Sequence, residues 1–130
     1  MKIISPTLHG ILDYLMCGFF LTLPSMFALT GGAALVCYLL AAGYLLVSLC
    51  TNMPLGLFGW IPFWVHGGFD LVSGAIFIAS PWLFDFAHAN GDEVGGLRNV
   101  FIGVGLVYLV VYALTRWRPL PSDDIAAATA

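Results

Sequence analysis

The sequence predicts an all-α polytopic membrane protein with four transmembrane helices, arranged as two tandem parallel-repeat helical hairpins. The first observation is composition: 61% of the 130 residues are hydrophobic and 8% are charged, whereas soluble domains carry about 25% charged residues. The second is a run without Asp, Glu, Lys or Arg from Tyr14 to Phe69, which is far longer than the ~20 apolar residues of one crossing. The third is an internal repeat that aligns His9–Phe27 with His66–Phe84.

The same composition excludes several classes of function. With four Lys and Arg residues in the whole chain, there is no basic patch for nucleic acid. His9 and Asp13 interrupt the first apolar run and no A-x-A site follows it, so an uncleaved first helix is predicted. No G-x-S-x-G, P-loop or Rossmann fingerprint is present. No catalytic residue and no cofactor are therefore predicted. A redox relay is not expected either, because the cysteines lie in apolar runs without a C-x-x-C motif: Cys17, Cys37 and Cys50.

Four apolar runs supply the helices, and each is close to the length needed to span a membrane. Period-2 alternation is absent and each run is apolar all round, so helices are favoured over strands. Ser5 followed by Pro6 marks the first helix start, because Ser caps a helix and Pro is tolerated at the first helical position. The predicted runs are approximately Pro6–Leu29, Gly32–Cys50, Pro62–Phe84 and Leu97–Trp117.

The repeat divides the chain into two units of similar length. His9–Phe27 and His66–Phe84 share six of 19 aligned positions at an offset of 57, including the His, the Asp and the Pro. Leu39–Thr51 matches Gly103–Thr115 at an offset of 64. We therefore expect a first hairpin at 1–58, a second at 59–118 and a flexible tail at 119–130. A two-helix unit returns to its starting side, so the two copies are expected to be related by an axis along the membrane normal.

Charge placement predicts the orientation in the membrane. Four crossings put both termini on one side, together with Lys2, Arg116 and Arg118, and leave Arg98 on the other. The positive-inside rule then predicts cytoplasmic termini. The tryptophans fall near the ends of the apolar runs and are expected to anchor at the membrane interface: Trp60, Trp64, Trp82 and Trp117.

A short motif near the end of the third run resembles a known family. The stretch "ASPWLFDF", followed by "GGLRNVFIGVGLVYLVVYAL", is similar to the SPW-repeat family of small bacterial integral membrane proteins. Ser80, Pro81 and Trp82 match its motif, whereas the first copy keeps only Pro24 and is degenerate. The resemblance implies two-helix repeat units in a bacterial inner (cytoplasmic) membrane. It supplies no catalytic residue, because the family has no characterised function.

The repeated polar residues form the candidate site. His9 and Asp13 are four residues apart, as are His66 and Asp70, so each pair shares a helix face. An Asp at the centre of a membrane helix costs about 2.5–3.5 kcal/mol on insertion scales and usually faces the bundle interior. The nearest partner is expected to be the His of the same helix, and the next is the pair on the other hairpin. A buried polar network that clamps the hairpins together is the first interpretation.

Three other interpretations of these residues remain open. Two His and two Asp near an axis are a possible set of metal ligands, the histidines alone suggest a bis-His haem, and a His/Asp chain suggests a proton path. The overall expectation is a small non-enzymatic membrane module, a structural or interaction subunit. The module is expected to lie in the lipid bilayer and to associate with a second copy of the chain or with a membrane complex. The alternatives are a transport or proton-conducting component and a metal- or haem-binding membrane enzyme.

Overall fold

The computed structural model describes residues 3–84 and 92–117, and within them the chain is all-helical, as the sequence predicts. Nothing is described of the side chains at 32–33 and 92–95. The helices are α1 (Pro6–Met26), α2 (Gly31–Cys50), α3 (Phe63–Leu83) and α4 (Asp92–Leu114). The stretches long and apolar enough to cross a membrane are Pro6–Met26, Phe63–Leu83 and Gly96–Leu114, and α2 adds the shorter apolar stretch Ala34–Cys50. These lengths support a membrane protein.

One helix start and two helix ends differ from the prediction. α4 begins at Asp92 rather than Leu97, so it includes polar residues that precede the apolar run. The Ser5 hydroxyl accepts a hydrogen bond from the Leu8 N–H at 3.2 Å, as a capping residue should. α1 ends at Met26 rather than Leu29, because Ala28 adopts a left-handed conformation with φ 49°. α4 ends at Leu114 rather than Trp117, because Thr115 leaves the helix for a backbone bridge.

That bridge brings the two ends of the described chain together. The Ile4 N–H donates to the Leu114 carbonyl and the Ile4 carbonyl accepts from the Arg116 N–H, both at 3.0 Å. The same arrangement joins the end of α2 to the start of α3, where Ile61 donates to Cys50 (2.9 Å) and accepts from Asn52 (2.8 Å). Four backbone hydrogen bonds thus join the start of α1 to the end of α4 and the end of α2 to the start of α3, all at one end of the bundle. Lys2, Arg118 and the segment 119–130 lie outside the described residues.

Each hairpin is held by close helix contact. α1 packs against α2, and α3 packs against α4. The backbones of α3 and α4 approach so closely at Gly74 and Gly105 that a Cβ on Gly105 would lie 2.6 Å from the Gly74 carbonyl oxygen. In α2 the small side chains of Cys37 and Ala41 are buried in the core. Small residues therefore set the helix spacing, as is common in membrane bundles.

The two hairpins meet through aromatic side chains. Phe20 of α1 stacks on Phe77 of α3 with ring centroids 5.1 Å apart, and Tyr44 of α2 contacts Tyr108 of α4 at 5.1 Å. Phe77 also stacks on Tyr108 at 5.4 Å, which links the two contacts. Asp13 precedes Phe20 by seven residues, or about 10 Å of helix. The aromatic core therefore packs directly beside the layer of polar residues on α1 and α3, about two helical turns along the bundle.

Candidate functional site

The structure brings the four repeated polar residues into one buried cluster, called here the His/Asp layer. His9 and Asp13 come from α1, and His66 and Asp70 come from α3. The two His residues are 0% exposed, Asp13 is 3% and Asp70 is 1% exposed. One ligand atom from each of the four residues lies within 4.8 Å of the others. Their spacing of one helical turn puts both residues of each helix on the face that meets the other hairpin.

The shortest contacts in the layer run between the hairpins. His9 Nε2 lies 3.0 Å from Asp70 Oδ2, and His66 Nε2 lies 3.2 Å from Asp13 Oδ2. The contacts within one helix are longer, at 3.5 Å for His9–Asp13 and 3.6 Å for His66–Asp70. The expectation that each Asp is nearest to the His of its own helix is therefore wrong. Side chains four apart on one helix lie side by side, whereas those on facing helices point at each other.

Two threonines fix the orientation of the imidazoles. His9 Nδ1 lies 3.0 Å from Thr115 Oγ1, and His66 Nδ1 lies 2.8 Å from Thr51 Oγ1. Each threonine hydroxyl donates its proton to the carbonyl four residues earlier, at 2.6 Å in both cases. A hydroxyl has one proton to give, so the threonine oxygen accepts from Nδ1–H. In both histidines, Nδ1 is therefore protonated.

The Nε2 atoms consequently face the carboxylates with a lone pair when the imidazoles are neutral. Within the described residues, neither Nε2 atom has a hydrogen bond of acceptable geometry, and neither do the two carboxylate oxygens of Asp70. Asp13 Oδ2 accepts one hydrogen bond, from the Ser48 hydroxyl at 3.3 Å. The layer thus concentrates lone pairs and negative charge in a buried place, which is unfavourable unless positive charge is added.

Aromatic rings shield the layer on the side of the chain ends. The His9 ring packs edge-on against Trp117 at 4.9 Å and against Phe63 at 5.4 Å. Trp117 Nε1–H donates to the Tyr112 carbonyl at 2.9 Å, which holds the indole in place. A Cβ on Gly67 would lie 2.9 Å from the Trp117 ring, so this position has room for Gly only. Trp117, predicted as an interface anchor, also covers the His/Asp layer.

The other three tryptophans are exposed on the bundle surface. Trp60 is 74% exposed, Trp64 is 69% and Trp82 is 52%. Of the SPW motif, Ser80 is buried and its hydroxyl donates to the Phe77 carbonyl at 2.8 Å, and Pro81 is buried. The motif therefore lies toward the far end of α3, ten or more residues beyond Asp70, and does not contribute to the layer.

A cavity of about 230 Å³ leads from the surface between α1 and α4 to the layer. It touches His9, Asp13 and Asp70 at its inner end. Its walls are otherwise almost entirely apolar and include Leu12, Leu15, Met16, Val107 and Val111. A second cavity of about 180 Å³ lies between α2 and α3 and does not touch the layer. The layer is therefore accessible from one side of the bundle.

Sequence reasoning did not assign a role to several of these residues. Thr51 and Thr115 occupy aligned positions at the offset of 64 that relates the second helices. The repeat therefore already indicated that each hairpin adds a threonine to the polar residues of the layer. Ser48 carried no such signal, because the aligned position is Tyr112. Tyr44 and Tyr108 also recur at that offset, but an apolar helix gave no reason to separate them from ordinary core residues.

Comparison with known proteins provides no relative for this arrangement. No family model matches the chain, and no curated protein or solved structure matches it. The resemblance to the SPW-repeat family therefore stays a prediction.

Proposed function

We propose that this chain is a small multi-pass protein of the bacterial inner membrane whose His/Asp layer binds one divalent transition-metal ion, with Zn²⁺ as the best fit. The observation that carries the proposal is the convergence of two buried Nε2 atoms on two buried carboxylates. The proposal departs from the sequence-based expectation of no cofactor. It adopts the metal-ligand interpretation of His9, Asp13, His66 and Asp70.

Charge balance supports a divalent cation. With both imidazoles neutral, the two ionised aspartates give the layer two negative charges and no positive one. Such a site is strongly destabilised in an apolar interior unless the charges are compensated. One divalent ion neutralises the layer without requiring either Nε2 to carry a proton.

The layer is close in size to a tetrahedral zinc site. Zinc binds His nitrogen at about 2.0–2.1 Å and carboxylate oxygen at about 2.0–2.2 Å, so neighbouring ligand atoms of a tetrahedral site lie about 3.3 Å apart. The four His–Asp contacts span 3.0 to 3.6 Å and use both oxygens of each Asp, and a set of one ligand atom from each residue lies within 4.8 Å. Binding of an ion would therefore draw the widest pair of ligand atoms together by up to about 1.5 Å. Imidazole and carboxylate ligands without thiolate also suit Mn²⁺ and Fe²⁺. Zinc is proposed because it prefers a tetrahedral set of four ligands and because such sites are common for zinc.

The threonine hydrogen bonds supply the outer ligands that metal-bound histidines usually have. A ligating His generally donates its other ring N–H to an oxygen acceptor, which fixes the tautomer and the ring direction. Thr115 and Thr51 occupy this place at 3.0 and 2.8 Å. A bis-His haem fits less well, because the carboxylates of Asp13 and Asp70 lie between the two ring nitrogens where a porphyrin would have to sit.

The ion would join α1 to α3 and therefore one hairpin to the other. We propose on this basis that the protein is a non-enzymatic module, with a structural or interaction role toward a second copy or a membrane complex. Residues at the offsets of 57 and 64 make matching contacts between the two hairpins, as His9 with Thr115 and His66 with Thr51 do. These contacts support two tandem repeats, 1–58 and 59–118, related by an axis along the membrane normal. α2 then provides the fourth crossing, and the positive charge of Arg116 supports cytoplasmic termini.

Metal analysis of the purified protein tests the proposal. After loading with Zn²⁺ in mild detergent and removal of free ion, we expect one Zn²⁺ per wild-type chain. Asp13→Asn and Asp70→Asn should lose it, because an amide is a much weaker ligand than a carboxylate. His88→Gln is the matched control, since the sequence places His88 in the polar link after α3. Equal zinc in all four proteins, or none in the wild type, would contradict the proposal.

A proton-conducting role is the second candidate, favoured by the cavity that reaches His9, Asp13 and Asp70. In that case the positive charge of the layer is carried by protons, and His9 and Asp70 at 3.0 Å form an ion pair. Proteoliposomes with a pH-sensitive dye inside distinguish the two functions. Zinc-free protein that conducts protons, and loses this on Asp70→Asn, would replace the metal proposal.

A further inference from the structure

We propose that the cavity between α1 and α4 binds a small membrane-soluble molecule, with an apolar body and one polar head whose lone pair reaches the metal ion in the His/Asp layer. This inference rests on the proposed metal site and names the ligand class for it. It adds an external ligand to a site otherwise built from protein atoms alone.

The chemistry of the cavity changes along its length. Its outer part is lined by aliphatic side chains, and at the rim Leu15 is 63% and Val107 is 51% exposed on the membrane-facing surface of α1 and α4. Its inner end is formed by His9, Asp13 and Asp70. A molecule that matches both ends has an apolar body toward the lipid and a polar head toward the layer.

The side chain of Tyr108 forms part of the cavity wall close to the layer. It lines the cavity and is 4% exposed. Its hydroxyl is paired with the hydroxyl of Tyr44 from the other hairpin. The polar groups left to meet a head at the inner end of the cavity are therefore those of the His/Asp layer.

The cavity at the aligned hairpin interface, between α2 and α3, does not reach the layer. The second cavity is lined by residues at the aligned positions, with Val47 for Val111 and Tyr44 for Tyr108, yet it does not touch the His/Asp layer. On that side Ser48 donates a hydrogen bond to Asp13, whereas Tyr112 takes the aligned position on the open side. One ligand per chain is therefore expected, at α1–α4.

Coordination chemistry permits an additional ligand. Zinc sometimes takes a fifth ligand in reacting sites, and sites with three protein ligands keep the fourth position for an external donor. An external donor could therefore bind an ion in the layer as a fifth ligand or in place of one carboxylate. The depth of the layer below the aromatic cover of Trp117 and Phe63 keeps water from the chain ends away. The donor is then most readily supplied from the lipid phase, through the apolar cavity.

Cobalt substitution tests this inference in nanodiscs. Co²⁺ replaces Zn²⁺ in such sites and gives visible absorption that depends on its ligands. We expect 1-octylimidazole to change the spectrum of the wild-type protein and octylbenzene, which has the same body without a donor, to leave it unchanged. Val111→Phe narrows the α1–α4 cavity and should abolish the change. Val47→Phe, the same substitution at the aligned position of the other cavity, should preserve it.

The outcomes separate the two proposals. A Co²⁺ spectrum that does not respond to 1-octylimidazole, or that responds equally in both Phe variants, overturns the lateral ligand site and leaves the metal site standing. A response to octylbenzene equal to that of 1-octylimidazole assigns the cavity to lipid chains and also overturns it. Failure of the wild-type protein to bind Co²⁺ or Zn²⁺ overturns the metal site itself.

Discussion

At the scale of single residues, Thr115 and Thr51 determine what the two histidines can do. Each hydroxyl donates to its own helix at 2.6 Å and so accepts from Nδ1–H. This leaves Nε2 as the only ring atom free to meet a cation or a proton. Thr51 and Thr115, just beyond the ends of α2 and α4, thus set the direction in which the two imidazoles present their lone pairs.

Removing one of these hydroxyls should weaken metal binding without removing a ligand. Thr115→Val keeps the shape but gives the Nδ1–H of His9 no acceptor, and loss of such an outer partner typically lowers metal affinity about 10–100-fold. Zinc affinity measured by competition with a chromophoric chelator checks this. Thr22→Val is the matched control, because the Thr22 hydroxyl bonds only carbonyls of its own helix and is exposed. Equal affinities in the two variants would contradict the role given to Thr115.

The charge of Asp70 should decide how stability responds to metal. Zinc at 100 times its Kd stabilises a protein that binds it only when folded by about 2.7 kcal/mol, so the wild-type melting temperature in detergent should rise on addition. Asp70→Asn should abolish the rise and keep the fold. Asp70→Leu should melt lower than Asp70→Asn in zinc-free buffer, because a buried polar atom left without its partner costs about 1–3 kcal/mol.

The sequence predicted the members of this layer better than their pairing. The recurrence of His and Asp at an offset of 57 marks all four residues without any coordinates. The pairing across hairpins depends on how α1 faces α3, and spacing along one helix carries no information about that. The contact between Trp117 and His9 was not predicted for the same reason: the position of Trp117 after an apolar run indicates an interface anchor, and only the fold shows that its ring lies against His9.

At the scale of helices, backbone approach at glycine sets the geometry of the second hairpin. Gly105 lies against the Gly74 carbonyl and the Ile78 side chain. The helix bounds were predicted to within about three residues, except that α4 begins at Asp92 rather than Leu97, since apolar length and capping residues are local properties. The end of α4 differs from the prediction because Thr115 leaves the helix to bond a segment more than 100 residues away in sequence.

Gly105→Ala should therefore destabilise the bundle. The new Cβ would lie 2.6 Å from both the Gly74 oxygen and Ile78 Cγ1, and overpacking of this kind typically costs about 1–3 kcal/mol. Gly103→Ala, two residues earlier in the same helix, meets nothing within 4 Å and should be neutral or stabilising, because Ala favours helix by up to about 1 kcal/mol. Melting in detergent compares the two, and equal shifts would refute the close packing at Gly105.

At the scale of the whole molecule, the backbone bridges put the described chain ends side by side, and the end of α3 at Leu83 lies at the other end of the bundle. The two ends should therefore face opposite sides of the membrane. Which side holds the chain ends is set by charge, and Lys2, Arg116 and Arg118 predict the cytoplasm.

Labelling of single cysteines in intact cells tests this orientation. In a background where Cys17, Cys37 and Cys50 are replaced, Ser122→Cys should resist a membrane-impermeant maleimide and react once the cells are lysed. Asn90→Cys, in the polar link between α3 and α4, should react in intact cells. The reverse pattern would place the chain ends in the periplasm.

The bridges Ile4–Thr115 and Thr51–Ile61 give the junction between the chain ends the same pair of backbone hydrogen bonds as the junction between the hairpins. Either junction could therefore carry the chain connection between the two hairpins. A circular permutant that begins near Gly59, ends near Phe58 and carries a short linker between the old ends keeps all four bridging backbone hydrogen bonds. In this permutant the second hairpin is synthesised before the first, but the His/Asp layer consists of the same side chains. Metal binding by the permutant should therefore not depend on which hairpin enters the membrane first.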